Sequence, residues 1–393
     1  EEQSSTDMLD EDLQSRQMAV YGRENMLKLS NAKVLLLGID GLGAEIAKNV
    51  ALANVKKLTL HDAKIVQHSD LNAHFYLDEN DLGKNRAQAC VAKMQELNPT
   101  VDVSTLTGAL PLHALASFDV VVGVGISLDE ALAADAACRA ALTPTAFIRA
   151  DVRGLCGGVF VDLGPSFVCH DATGEAIKSA IVERIDVLKD ERAAGGELLL
   201  AVQCVDDEPI ELDDGDHVRF SEVVGLDGLN EVPHLEVSDV SKGKKRFVVT
   251  LPDEHAASIS GAYVRGGLVT EVRMPKQLTY RPLADFLTNP GALTEADESK
   301  VAPAATSFSE PYLEVMGTDA AAIRFGRSGL LHLGFRALDR FAAERGGALP
   351  APGSSADAAA VLELCAQLNA EAPAELAVAE LDAPARRDAL LAM

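Results

Sequence analysis

The chain has no tryptophan, and aromatic residues make up only 4% of its 393 residues. So few rings offer no stacking platform for single-stranded nucleic acid. Positive charge is also short: 35 Lys and Arg stand against 60 Asp and Glu, a formal net charge of −25. Such a surface repels a phosphate backbone instead of displacing its counterions, so no nucleic-acid partner is expected. Cysteine is limited to Cys90, Cys138, Cys156, Cys169, Cys204 and Cys365, with no C-x-x-C pair. That spacing carries no zinc or dithiol signature, and no metal ligands are expected. Scattered single cysteines read as small buried hydrophobes in a reducing, intracellular compartment. No apolar run is long enough to span a bilayer and no signal-peptide pattern opens the chain, which begins at Glu1; no membrane partner is expected.

Hydrophobic residues make up 48% of the chain, enough for a substantial core. Its length predicts two or three packed units. The first part alternates between strands and helices. Val34-Leu35-Leu36-Leu37 is a short apolar run suited to a strand buried on both faces. Leu42, Ile46 and Val50 then recur every four residues, as on one face of a helix. Further strands are expected over 57–60, 101–106, 119–124, 146–150 and 159–163. The rhythm predicts an α/β fold: a Rossmann-like, mostly parallel sheet with right-handed crossovers.

From about Asp171 the rhythm is lost. Short strands are expected at 217–224 and 245–251, between turn signals such as Asp213-Asp214-Gly215-Asp216, Asp227-Gly228 and Lys242-Gly243. We therefore expect a small β-rich domain over 171–262, inserted into a parent domain formed by 1–170 and 263–393. A strand over 268–274 is assigned to the parent. Residues 289–310 and 346–356 are loop-like by composition, and the Ala-rich tail from Asp357 is expected to be helical.

The strongest local motif is Gly38-Ile39-Asp40-Gly41-Leu42-Gly43, placed after a strand and opening a helix. Gly38, Gly41 and Gly43 would let the backbone approach a phosphate, which the helix N-terminus favours. Asp62, at the end of the next strand, is placed to accept from a ribose hydroxyl. Two readings stay open here: a nucleotide pocket, or glycines that only permit tight strand–helix packing. The spacing G-x-x-G-x-G departs from the dinucleotide fingerprint, and Asp40 puts a negative charge beside the presumed phosphate. His61, His68 and His74 cluster in sequence but lack the spacing of metal ligands, and are read as surface or strand-end histidines.

Several strings together resemble the activating enzymes for ubiquitin and its relatives. Ser15-Arg16-Gln17, then Val20-Tyr21-Gly22, is similar to that family's N-terminal Arg-Gln motif. Residues 41–49 resemble the glycine-turn helix of its inactive adenylation domain. Asp81-Leu82-Gly83-Lys84-Asn85-Arg86-Ala87, Glu96-Leu97-Asn98-Pro99 and residues 150–157 follow in order. Residues 214–223 resemble the first catalytic-cysteine half-domain, while 265–269 and 332–335 look like a return to the parent fold. The resemblance implies a ThiF/MoeB-type adenylation fold forming the N-terminal half of a ubiquitin-activating enzyme. The inserted half-domain favours this over the small subunit of the SUMO-activating enzyme, a free-standing regulatory subunit that lacks it. A dinucleotide-dependent oxidoreductase is a remote alternative.

The resemblance also implies what is missing. The family's active Asn-Arg-Gln triplet is matched by Asn72-Ala73-His74. The position of its Mg²⁺-binding Asp falls within Val124-Gly125-Ile126-Ser127, with Asp129 nearby, and Lys64 replaces a second Asp. The nucleotide pocket of Gly38, Gly41, Gly43 and Asp62 is therefore expected to be vestigial, and this chain inactive alone. Arg16 is implied to touch the γ-phosphate of ATP bound with Mg²⁺ in a partner adenylation domain; Gln14 replaces the aromatic usual two positions earlier. No cofactor is expected on this chain itself. Expected partners are an active adenylation domain with its catalytic-cysteine domain, ubiquitin or a related modifier, and a conjugating enzyme. The acidic runs 206–208 and 211–216 are candidates for contact with a basic modifier surface. The expected compartments are cytoplasm and nucleus, and the resemblance predicts further helices beyond Met393.

Overall fold

A computed structural model describes residues 11–154, 156–171, 174–190, 198–205, 210–251, 253–256, 258–288, 320–372, 377–378, 381–382 and 384–391. The chain divides into two compact units, one formed by 1–167 and 279–393, the other by 168–278.

The first unit opens with helices α1 (Glu11–Tyr21) and α2 (Arg23–Asn31), then alternates strands and helices. These are β1 (Lys33–Leu37), α3 (Gly41–Leu52), β2 (Lys57–His61), α4 (Arg86–Leu97), β3 (Asp102–Leu106), β4 (Val120–Val124), α5 (Leu128–Arg139), β5 (Ala146–Arg153) and β6 (Cys156–Asp162). The six strands form one sheet in the order β3-β2-β1-β4-β5-β6. Pairing is parallel up to β5, whereas β5 and β6 form an antiparallel hairpin at the edge.

The apolar run at β1 is continuous because both sheet faces are covered. Leu36, Leu58, Leu60 and Val122 pack under α3 and α4, while Leu35, Leu37, Val121 and Phe147 pack under α5. On α3 the deepest contacts are made by Ala44, Ala47 and Ala51, all 0% exposed, with Leu42, Ile46 and Val50 flanking them. Small side chains on that stripe let the helix lie close to the sheet.

The second unit holds β7 (Phe167–Cys169), β8 (Ser179–Asp190), β9 (Leu198–Cys204), β10 (His217–Ser221), β11 (Leu235–Ser238), β12 (Arg246–Leu251), α6 (Asp253–Ala256), β13 (Leu268–Val272) and β14 (Lys276–Leu278). Six of these strands close into an antiparallel barrel, β10-β11-β12-β9-β8-β13, and closure leaves no unpaired edge. Val202, Phe220, Phe247, Val249 and Leu251 fill its interior. The long β8 follows the curvature through register shifts at Val182/Arg184 and Val187/Lys189.

The barrel corrects the expected boundary at 262–263. Leu268–Val272 pairs with both β10 and β8, so the strand assigned to the parent domain completes the barrel instead. The alternation of a barrel-closing strand is the same as that of a returning sheet strand, and only pairing separates the two. At Gly267 (φ +121°) a Cβ would lie 2.8 Å from a Val223 methyl, so the chain enters β13 through a position closed to larger residues.

The first unit resumes with α7 (Leu283–Thr288), α8 (Ala320–Glu344), α9 (Ser355–Glu371) and α10 (Pro384–Leu391). The helical tail and the loop before it appear as expected; the loop reading of 289–310 lies outside the described residues. Leu330, Leu333, Ala337, Leu338 and Phe341 recur at helical spacing on α8 and meet Val361, Leu364, Cys365 and Leu368 of α9. Ser354 caps α9 by accepting the Asp357 N–H at 3.2 Å. Among the described residues no helix is long and apolar enough to cross a membrane.

Candidate functional site

In this sheet the strand order reverses between β1 and β4, where open α/β sheets place their ligands. The glycine turn lies there. Gly38 has φ +87°, and a Cβ on it would stand 2.0 Å from the Val124 carbonyl oxygen. A Cβ on Gly41 would meet the Ala73 carbonyl at 2.8 Å, and one on Gly43 the Gly38 carbonyl at 2.3 Å. Each glycine thus makes room for a carbonyl of its own chain on the side where a Cβ would stand. Asp40 caps α3 through its Oδ1, which accepts the Gly43 N–H at 2.9 Å. Gly38→Ala combines a forbidden φ with a backbone clash. It should destabilise the chain by about 2–3 kcal/mol, read as a fall in the midpoint of chemical unfolding.

Asp62 is 6% exposed, and both its oxygens are occupied. Oδ2 accepts from the Ile39 N–H at 2.8 Å and from Arg86 Nε at 3.0 Å, with Arg86 Nη2 at 2.8 Å. Oδ1 accepts from the Lys64 N–H at 2.8 Å. Arg86, also 6% exposed, extends Nη1 to Asp70 Oδ1 at 2.9 Å. Sequence reading placed Asp62 toward a ribose; the fold instead turns it inward to tie the glycine turn to α4. The role of Arg86 has no local signal in the sequence, because its partners stand 16 and 24 residues away.

The triplet Asn72-Ala73-His74 is brought beside the glycine turn. Ala73 packs on Gly41, with its Cβ 3.1 Å from where a Gly41 Cβ would stand. His74 corrects the surface reading: it is 2% exposed, with Nε2 3.6 Å from Cys90 Sγ. Burial, aided by the Arg86 charge, holds its pKa below the usual histidine range, so the ring is neutral at neutral pH. His61 and His68 remain at or near the surface. The six cysteines are free thiols, four of them buried.

Beyond β4, a carboxylate does reach the loop, but it is Asp40, whose Oδ2 would lie 2.8 Å from a Cβ on Gly125. Asp129 sits exposed on the first turn of α5, whose cap is a Ser127–Glu130 box. Among the described residues no three His, Cys, Asp or Glu side chains are disposed to hold a metal. Around this crevice both oxygens of Asp62 are committed to Ile39, Lys64 and Arg86, and Asp40 Oδ1 to the cap of α3.

A second buried network stands at the β5 end of the sheet. Arg149 places Nη2 2.8 Å and Nη1 3.2 Å from the Asp339 carboxylate of α8. Its Nε lies 2.7 Å from Asp151 Oδ2, outside hydrogen-bond geometry, and Arg153 Nη2 lies 3.2 Å from Asp151 Oδ1. Burial raises the Asp151 pKa against the pull of both arginines. The network anchors α8 to the sheet, a contact spanning 190 residues that no local signal could disclose.

Arg16 lies on α1 and is exposed, with no ion pair among the described residues. Two positions earlier, Gln14 is 6% exposed and leaves its Oε1 without a partner. The structure therefore does not bring Arg16 into the glycine turn's own network. On the barrel side, Asp213 pairs with Lys244 at 3.0 Å and Asp214 accepts the Val240 N–H at 2.9 Å. Both acids remain exposed. The run 206–208 lies outside the described residues.

A parallel sheet with a glycine turn at its switch point, ending in an antiparallel edge hairpin, defines an adenylation-type α/β fold. The chain belongs to the ThiF family, whose model matches residues 14–237, and residues 274–369 match the ubiquitin-activating enzyme E1 four-helix bundle. The second match corrects the assignment of the C-terminal part as a plain continuation of the adenylation domain. Similar curated proteins include "Ubiquitin-activating enzyme E1 2" of Arabidopsis thaliana, 43% identical over 366 residues, covering 93% of this chain and 30% of that protein. "Ubiquitin-activating enzyme E1 1" of Triticum aestivum is 44% identical over 361 residues, covering 92% and 30%. "Ubiquitin-like modifier-activating enzyme 1" of Homo sapiens is 35% identical over 364 residues, covering 93% and 30%. The chain spans about 30% of the length of these relatives.

Proposed function

We propose that this chain is the adenylation-inactive part of a ubiquitin-activating enzyme, acting beside an active adenylation domain rather than performing the chemistry. The observation that carries the reading is the commitment of Asp62 to Arg86, Ile39 N–H and Lys64 N–H, beside a glycine turn whose glycines pack against backbone carbonyls. Adenylation accumulates negative charge around a polyphosphate and calls for free cations and metal ligands at the site. Here the buried arginine already faces two carboxylates.

Arg16 has the opposite character. It is exposed and unpaired among the described residues, and a guanidinium keeps its charge and forked donors at any physiological pH. In the proposed assembly it projects from α1 toward the γ-phosphate of ATP held, with Mg²⁺, by the partner domain. The barrel presents an acidic rim to the modifier, and formation of the ubiquitin adenylate, the thioester and transfer to a conjugating enzyme belong to the rest of the assembly. The cytoplasm and nucleus are the compartments this role calls for.

The test is ubiquitin-dependent ATP–pyrophosphate exchange by the chain alone and after adding the C-terminal portion of a related enzyme. Silence alone with activity in the mixture supports the reading. Exchange by the isolated chain refutes it and redirects attention to Asp129 as a metal ligand.

A further inference from the structure

Two buried acids lie beneath α7, and only one of them is paired with a guanidinium. Asp135 on α5 and Asp162 at the end of β6 are each 2% exposed. Asp162 is well supplied: Oδ1 accepts the Gly164 N–H at 2.7 Å, and Arg139 Nη1 stands 2.7 and 2.6 Å from its two oxygens. That same Nη1 also donates to the Tyr280 carbonyl at 3.2 Å. Asp135 Oδ2 accepts the N–H of Leu283, the first residue of α7, at 2.8 Å. Its Oδ1 is buried without a hydrogen-bond partner, and the neighbouring Asp162 carboxyl acts on the same side chain.

Buried acids in this arrangement hold one proton between them, because two adjacent anions cannot be neutralised by a single cation. Burial, reinforced by the Asp162 charge and opposed by the Leu283 N–H, pushes Asp135 up to about 7. The other titratable groups around the pair are accounted for by element. On α5, the Cys138 thiol is pushed up to about 12 by burial and stays neutral. On and before α7 stand Asp285, exposed, and Arg281, whose Nη2 donates to the Asp285 carbonyl at 3.1 Å. From α8, His332 is drawn down to about 4 by burial and by Arg336, and is neutral.

We propose that Asp135 and Asp162 form a proton-operated latch that fastens α7 to α5 and the sheet. The helix it holds is a wedge. Leu283, 2% exposed, sits in the core with Leu35 and Phe147, while the Phe286 ring lies 5.6 Å from Phe160 of β6 and 5.7 Å from His332 of α8. Protonated, Asp135 donates to Asp162 and the pair carries one negative charge opposite Arg139. Ionised, it adds a second buried anion and the seat of α7 loosens. Since the folded-state pKa lies above the ordinary value, the latch's stabilisation is complete below the usual carboxylate range. It is lost as pH rises through about 7.

The test is hydrogen exchange of the 283–288 segment in the full chain at about pH 6 and about pH 8, with the intrinsic base-catalysed rate divided out. Protection in the wild type should fall roughly tenfold over that interval. In Asp135→Asn the amide donates permanently to Asp162 while its oxygen still accepts from Leu283, so protection should hold at both pH values. An unchanged profile in the wild type, or the same fall in the variant, overturns the latch. A second reading needs no variant: the ¹³Cγ shift of Asp135 should titrate near neutrality, and titration in the ordinary carboxylate range overturns the proposal as well.

Discussion

Arg86→Ala is expected to lower the stability of the chain by about 3–5 kcal/mol, seen as a fall in denaturation midpoint at constant slope. The size follows from what the side chain neutralises. Arg86 contacts Asp62 through Nε and Nη2 and Asp70 through Nη1, and both carboxylates are largely shielded from water. Removing the guanidinium leaves two carboxylates without their shared counter-charge, beside the glycine turn. Breaking such an arrangement costs far more than an exposed ion pair is worth. Arg86→Lys should recover only part of the loss, because an ammonium cannot span both carboxylates as a planar fork does. A midpoint within about 0.5 kcal/mol of wild type would show that the network is incidental to folding.

Arg16→Ala is expected to leave the folded chain unchanged and to lower modifier-dependent exchange in the reconstituted assembly by roughly a hundredfold or more, the scale of an arginine acting on a transferring polyphosphate. The two readouts separate the explanations. Arg16 is exposed on α1 with no ion pair among the described residues, so truncating it removes no buried contact. Equal unfolding midpoints with lost exchange place the arginine in the chemistry of the partner site. Retained exchange removes it from the mechanism, whatever the standing of the glycine turn. Arg16→Lys keeps the charge but loses the fork, and an intermediate rate separates charge from geometry.

Much of the fold was legible because its signals are local. The apolar run 34–37 predicts a strand covered on both faces, and Leu35 and Leu36 do pack into opposite cores. The tail from Asp357 predicts a helix, and α9 spans Ser355–Glu371. The barrel was legible as a change of rhythm but not in extent, because 268–272 would read the same in either domain. The candidate site was legible as a motif and misread in its contacts. Asp62 has the right distance from Gly43 for a ribose ligand, yet its partner is Arg86. His74 reads as one of three surface or strand-end histidines, and the fold buries it beside Cys90. The Asp135–Asp162 pair and the Arg149–Asp339 bridge gave no sequence signal, since no motif links residues so far apart.

What the sequence by itself determined is the set of elements, the parallel sheet and the position of the glycine turn at a strand end. These follow from periodicity, turn chemistry and residue type within a few positions. Only the tertiary structure decided which charges are paired and which acids are buried side by side. Each depends on how deeply the chain buries a group and on which distant residue then meets it. A carboxylate such as Asp62 or Asp135 is a ligand, a strut or a proton donor according to the water around it and the charge it faces, and neither is written in its neighbours along the chain.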